Sequence, residues 1–168
     1  MNRMKRIVLP SVLALASACG QVQEPMSAIA PEGAATLTLN APVASAATLI
    51  QGFTAGAPFF TVNVGATAAV LAPAAGIVSD VAADGAGGFS VTIYHSFRLS
   101  SQLSGLAAAN LRRGDYVASG TPVGTTPITG QFRFGVIRDG LVVCPLLEMS
   151  AAGRTSLSLA AQPGGGCQ

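Results

Sequence analysis

The chain has 168 residues, with nine Lys and Arg against seven Asp and Glu, one His, three Cys and no Trp. Beyond position 18 no lysine remains and six arginines face the seven acids, so that part is close to neutral. The balance gives no sign of the dense basic patch that a nucleic-acid binder needs, and no nucleic-acid partner is expected. A mature length of roughly 150 residues suits one domain plus a tether.

Residues 1–18 read as a signal peptide. Arg3, Lys5 and Arg6 make a basic start, and Ile7 to Leu15 make an apolar run. The run falls short of the ~20 residues that a helix needs to cross a bilayer. It ends in Ala16-Ser17-Ala18, small residues that admit a signal peptidase. A buried amphipathic first helix is the alternative.

Cys19 follows directly, and small residues before a cysteine resemble the lipobox of bacterial lipoproteins. Ala16 stands where the usual Leu would be, with Leu15 one place early. The resemblance implies lipid on Cys19, attaching the protein to a membrane on the periplasmic side of the bacterial cell envelope. Gly20 after the cysteine fits outer-membrane sorting. The Ala-x-Ala also suits the ordinary signal peptidase, so cleavage without acylation stays open. An oxidising compartment disfavours an odd free thiol. If Cys19 carries lipid, Cys144 and Cys167 are left to pair as a disulfide; two buried free thiols are the alternative.

Residues 19–35 are polar, lack periodicity and read as a flexible tether. Residues 36–50 are ambiguous between strand and linker: Thr36 to Leu39 alternates, and Ala41 to Ala47 is Ala-rich. From Phe53 short strands alternate with Gly and Pro, the sign of an all-β sandwich or barrel. The expected strands are Thr61–Val64, Gly76–Val81, Phe89–His95, Leu99–Leu103, Phe132–Ile137 and Leu141–Val143. Asp139-Gly140 predicts a type I′ hairpin turn, because Gly accepts positive φ. Ala107 to Leu111 reads as a helical turn. Residues 151–168 form a tail with one alternating run, Ser156 to Leu159, and a glycine triplet, Gly164 to Gly166. Gly76 and Gly114 mark positions where strands need tight turns.

Five segments occur in a recognisable order. Val70-Leu71-Ala72-Pro73-Ala74-Ala75-Gly76-Ile77-Val78 comes first, with an approximate echo in Leu111 to Gly124. Val91 and Ile93 precede His95. Leu111-Arg112-Arg113-Gly114-Asp115-Tyr116-Val117 and Gly120-Thr121-Pro122-Val123-Gly124 follow, then Phe132-Arg133-Phe134-Gly135-Val136 up to Pro145. Together they resemble the LytM/lysostaphin-type zinc peptidase domain, the duplicated hybrid motif fold, over residues 51–150. The resemblance implies a small all-β sandwich or barrel-like domain. Biotinyl and lipoyl carriers share the motif but need an acceptor lysine, and none follows Lys5.

The resemblance also says where zinc chemistry would stand. The family's "H-L-H-F-E-V" falls on Gln131 to Val136, so the metal-binding histidine becomes Arg133 and the catalytic one Gln131. Its "H-x-x-x-D" pair falls near Ala57 and Thr61, and the histidine of "Y-x-H-L" falls on Gly105. One histidine, His95, is left, whereas a hydrolytic zinc needs three protein ligands and an open position. A guanidinium in that place would repel a cation by several kcal/mol at an effective dielectric near 20. The chain is therefore expected to be a non-catalytic, degenerate relative, with no catalytic residue, metal or cofactor. Its groove around Gln131, Arg133, Gly105 and Thr61 would be a contact surface. The partner implied is a cell-wall amidase that the protein activates. The alternatives are a passive peptidoglycan binder, a structural lipoprotein and, last, a residual endopeptidase. His95 is expected to be structural, and the Arg113-Gly114-Asp115 triplet is read as a turn rather than an integrin ligand.

Overall fold

The computed structural model describes residues 37–158 and 166–167. The expected leader, Cys19, the tether, Thr36, Leu159, Gly164 and Gly165 lie outside the described residues.

Alternating apolar and polar residues build the strands. The chain opens with β1 (Ala47–Gln51), β2 (Phe60–Asn63) and the short β3 (Ala69–Leu71). Three long strands follow as a meander: β4 (Gly76–Ala83), β5 (Phe89–Ser96) and β6 (Leu99–Leu106). The next three are short: β7 (Ala108–Ala109), β8 (Tyr116–Val117) and β9 (Pro122–Thr125). Then come β10 (Gln131–Arg138), β11 (Leu141–Val143), α1 (Pro145–Glu148), α2 (Ala151–Ser156) and β12 (Leu157–Ser158). The domain is all-β, as expected, with two short helices added.

The large sheet runs β12-β1-β2-β10-β6-β5-β4-β8. Along one edge of β10 the first half pairs with β2 and the second with β11. Strands β3, β9 and β7 form a small second sheet. Val70 and Val123 of that sheet join Phe60, Ile93, Leu103, Phe132 and Phe134 of the large one in a single buried core.

The two halves that echo each other in sequence pair with each other in space. Val70 lies opposite Gly124, and Gly76 opposite Val117. Ala72 N–H donates to the Thr121 carbonyl (2.8 Å), and Gly120 N–H donates back to the Ala72 carbonyl (2.9 Å). Gly114 turns the chain at φ +95°. Asp139 and Gly140 both take positive φ, as a type I′ turn requires.

Four expectations change. Gly76 is not a turn glycine; it keeps an ordinary φ and supplies space instead. A Cβ there would lie 2.5 Å from the Tyr94 carbonyl oxygen and 2.9 Å from His95 Nδ1. Ala107 to Leu111 is not helical. Ala107 and Asn110 donate to the carbonyls of Thr125 and Val123 (2.8 and 3.1 Å), so ladder bonds to β9 override the helix propensity of alanine. Ser156 ends α2 rather than starting a strand, and Leu157 is buried where β12 runs parallel to β1. Leu39 makes only an isolated bridge to Met149.

Two ties fasten the C-terminal elements. Cys144 and Cys167 form a disulfide across 23 residues with a Cα–Cα distance of 5.9 Å. Closing such a loop stabilises the fold by about 3 kcal/mol on the chain-entropy model. The Arg138 guanidinium on β10 holds the carboxylate of Glu148, a buried residue of α1.

His95 is a third tie. Its Nδ1 lies 2.9 Å from the Ala75 carbonyl and its Nε2 lies 2.8 Å from Ser101 Oγ. A carbonyl only accepts, so Nδ1 carries the proton and Nε2 accepts from the Ser101 hydroxyl. Ser101 is fully buried. The imidazole faces no carboxylate in this arrangement, so the pair is a cross-link and not a nucleophile with its base. Burial pushes the His95 pKa below its ordinary value, with the Ala75 bond opposing.

Two predictions follow from these contacts. Gly76→Ala should lower stability by about 1–3 kcal/mol, the usual cost of overpacking against a backbone atom, read by denaturant unfolding. The second concerns pH. The unfolded chain protonates its histidine near pH 6.5 and the folded chain lower, so the unfolded state binds more protons in that interval. Stability should be fully present above pH 7 and decline as pH falls through 6.5 toward the depressed folded value. As His95 is the sole histidine, His95→Gln should flatten the melting temperature over pH 5.5–7.5; a slope that persists would assign the effect elsewhere.

Candidate functional site

Alternation along β10 decides what reaches the outer face of the large sheet. Phe132, Phe134 and Val136 are buried, while Gln131 is exposed and Arg133 half-buried on the opposite side. Arg133 stands between Thr61 of β2 and Ser104 of β6, and Gln131 opposite Asn63. Gly105 comes next on β6 as the extra residue of a bulge: Ser90 pairs with Ser104 and Phe89 with Leu106. Its φ of +76° is the left-handed conformation such a bulge asks of glycine.

Thr61, Gly105, Gln131 and Arg133 therefore line one groove of about 530 Å³. Ala57 does not; its N–H closes a local turn onto Thr54 (3.1 Å). Cys144 and Cys167 lie in the disulfide, and Cys19 is outside the described residues.

The sequence patterns did not single out three other parts of the groove. One wall is the loop between β4 and β5, where Asp84 Oδ1 accepts from the N–H groups of Ala86 and Gly88, both at 2.9 Å. Those two bonds above all, with smaller help from the Gly105 N–H and the Arg133 charge, hold the Asp84 carboxyl below the ordinary range against some burial. Asp84-Gly85-Ala86-Gly87-Gly88 between two alternating runs was a legible signal for such a loop. The second is a support rather than a wall: outside the lining, the Phe59 ring centroid lies 5.3 Å under the Arg133 guanidinium carbon. An aromatic face so placed attracts the cation by about 0.5–1 kcal/mol at an exposed site. The third is the rim at Pro127 and Thr129.

The resemblance implies zinc here, and the residues do not fit it. Of the five carried-over positions, the four that line the groove supply a hydroxyl, a hydrogen, an amide and a guanidinium. Zinc takes imidazole, thiolate or carboxylate. Asp84 is the one acid in the lining, and its Oδ1 already accepts two N–H groups. Among the described residues no group of three His, Cys, Asp or Glu is placed to hold a metal ion. Both nitrogens of His95 are engaged in the cross-link already described. What the groove offers is a cation, an anion and several neutral hydrogen-bonding groups. Among the described residues the Arg133 guanidinium has no carboxylate at ion-pair distance, unlike Arg98 and Arg138.

The Arg-Gly-Asp triplet closes its own turn. Asp115 Oδ2 accepts from the Arg112 N–H at 2.8 Å, so this carboxylate is committed to its own backbone.

No protein-family model matches the sequence, and neither does any curated protein. Solved structures do match in fold. Csd3 from Helicobacter pylori superposes with a TM-score of 0.62 at 21% identity, over 69% of this chain and 34% of that one. A chain assigned as an M23 peptidase from Pseudomonas aeruginosa gives 0.59 at 22%, over 71% and 52%. A chain of the SpoIIQ–SpoIIIAH pore-forming complex gives 0.56 at 19%, over 76% of this chain and 99% of that one. This chain thus spans about a third to a half of the length of the first two. The domain has the fold of the LytM/M23 peptidases, with Arg133 where the resemblance places a metal-binding histidine.

Proposed function

We propose that this protein is a non-catalytic module of the bacterial cell envelope that regulates a peptidoglycan hydrolase, an amidase, through the groove around Arg133. One observation carries the reading. A guanidinium with no carboxylate partner among the described residues, resting on Phe59, stands where the fold resemblance calls for a zinc ligand. Such a groove can bind through its guanidinium, amide and hydroxyl groups. A chain of the same fold in the SpoIIQ–SpoIIIAH complex supports protein recognition as a use of this architecture. Lipid on Cys19 would hold the module on the periplasmic side of the outer membrane, beside peptidoglycan.

A second reading is favoured by the planar fork of Arg133, which has no ion-pair partner among the described residues. Its planar donors suit a carboxylate bidentately, and a peptidoglycan stem peptide carries carboxylates. In that reading the groove holds peptidoglycan itself, and no enzyme is stimulated.

Three measurements decide among these. Arg133→Glu should abolish capture of an envelope amidase from the same organism in a pull-down and leave the melting temperature within a few degrees; unchanged capture removes the groove from the reading. Co-sedimentation with purified sacculi without amidase stimulation would select the stem-peptide reading. On cell-wall gels the protein should produce no clearing, and chelator-sensitive clearing would restore a metallopeptidase. For the anchor, Cys19→Ala should release the protein from the membrane fraction and abolish incorporation of labelled fatty acid.

A further inference from the structure

The outer face of the large sheet carries a second feature at the end away from the groove. Strand register aligns Tyr116 with Ile77, Ile77 with Tyr94, Tyr94 with Ser100, Ser100 with Ile137 and Ile137 with Val142. Tyr116, Ile77, Tyr94 and Val142 of this row are 72, 50, 42 and 47% exposed. Beyond the row the β5–β6 and β10–β11 hairpin tips stand side by side. The Arg98 Nε and Asp139 Oδ1 meet at 2.5 Å, and Asp139 N–H donates to the Arg98 carbonyl at 2.9 Å. The joined tips present Phe97 at 85% and Leu141 at 70% exposure. Toward the groove the patch stops at a row of Asp80, Thr92, Gln102 and Gly135.

We propose that this apolar end docks on the surface of an anionic lipid bilayer. Charge and shape together favour that occupant. The tip acid Asp139 is paired with Arg98 and the α1 acid Glu148 with Arg138, while Asp115, beside Tyr116, accepts the Arg112 N–H. Arg112 and Arg113, both exposed, lie in the turn that precedes Tyr116 and have no ion-pair partner among the described residues. The surface therefore shows aromatic and aliphatic groups with free guanidinium groups at one edge. Tyr and Phe settle at the headgroup level of a membrane, and each basic residue near an anionic leaflet adds to the attraction. Highly exposed apolar tips suit insertion between headgroups, whereas hot spots between folded proteins cluster in enclosed central pockets. The described chain also begins at this end. Leu39 pairs with Met149 and donates to the Glu148 carbonyl at 2.8 Å, and Glu148 is held by Arg138, next to Ile137 of the row. Among the described residues no helix is long and apolar enough to cross a membrane.

The test uses the full mature chain as Cys19→Ser, which removes any lipid from the measurement. It should co-sediment with vesicles of phosphatidylglycerol and phosphatidylethanolamine and bind pure phosphatidylcholine at least tenfold more weakly. Phe97→Ser with Leu141→Ser should reduce binding to the anionic vesicles about tenfold, and Arg112→Gln with Arg113→Gln several-fold. Both pairs are exposed, so unchanged melting temperatures will show that folding is intact. No vesicle binding, or binding indifferent to the tips, overturns the proposal. A concentration-dependent dimer abolished by the Phe97 and Leu141 changes, without vesicle binding, assigns the patch to a second copy and overturns it too. Neither pair touches the Arg133 groove, so amidase capture should persist in both; the two readings can fail separately.

Discussion

The register of β10 is the constraint on which everything else rests. This strand is paired on both sides, with β6 along one edge and with β2 and then β11 along the other. Because side chains alternate, one decision sends Phe132, Phe134 and Val136 into the core and Arg133 and Ile137 to the outer face. A slip by one residue would bury the guanidinium and expose two phenylalanines, so burial of the core also fixes the groove. Truncating a buried phenylalanine costs about 3–5 kcal/mol, and two of them enforce this register. Core packing here is what positions the site.

Much of this was legible in the sequence where the signal is local. Period-two alternation marked the long strands, and Asp139-Gly140 marked its hairpin because the backbone there needs two positive φ angles. The fold resemblance added what periodicity cannot supply, namely that residues as distant in sequence as Thr61, Gly105 and Arg133 meet around one groove. Illegible parts depend on partners far along the chain. Strand β7 exists because β9 offers carbonyls to Ala107 and Asn110, and nothing in Ala107-Ala108-Ala109 announces that. Strand β12 is two residues long and exists only because β1 lies beside it. Helix α2 did carry a signal, since the Ser150 hydroxyl accepts from Gly153 N–H at 3.0 Å as an N-cap. Gly153 obscured it. A glycine argues against a helix interior, yet a Cβ there would come within 2.9 Å of the Ala41 nitrogen. Close packing, not local propensity, chose that residue.

The polar residues divide into those that hold the fold and those left over. His95 and Ser101 bond to each other, and the histidine also reaches Ala75, so the one imidazole of the chain is used up inside the domain. Arg98 and Arg138 are committed to Asp139 and Glu148, and Asp115 and Asp84 to backbone N–H groups. Structural satisfaction removes nearly every group that a hydrolytic mechanism would draw on. Against that background Arg133 stands out: like the exposed Arg112 and Arg113 it has no ion pair among the described residues, but it is half-buried on an aromatic ring, where desolvation costs more.

The groove and the apolar end share one face of one sheet, and that limits how they can be used together. Arg133 and Ile137 are four residues apart on β10, or about 13 Å at the rise of a strand. The row through Asp80, Thr92 and Gln102 lies between them and is polar where it is exposed. A bilayer that receives Phe97 and Leu141 edge-on leaves the groove above the headgroups and open to the aqueous side. One that lay flat along the whole face would cover Arg133 and bury Asp80 and Asp84 against lipid, which the charge of those acids opposes. Tip-first docking is the arrangement in which both surfaces can be occupied at once. It would hold the groove a short distance above a membrane, facing whatever lies beyond it.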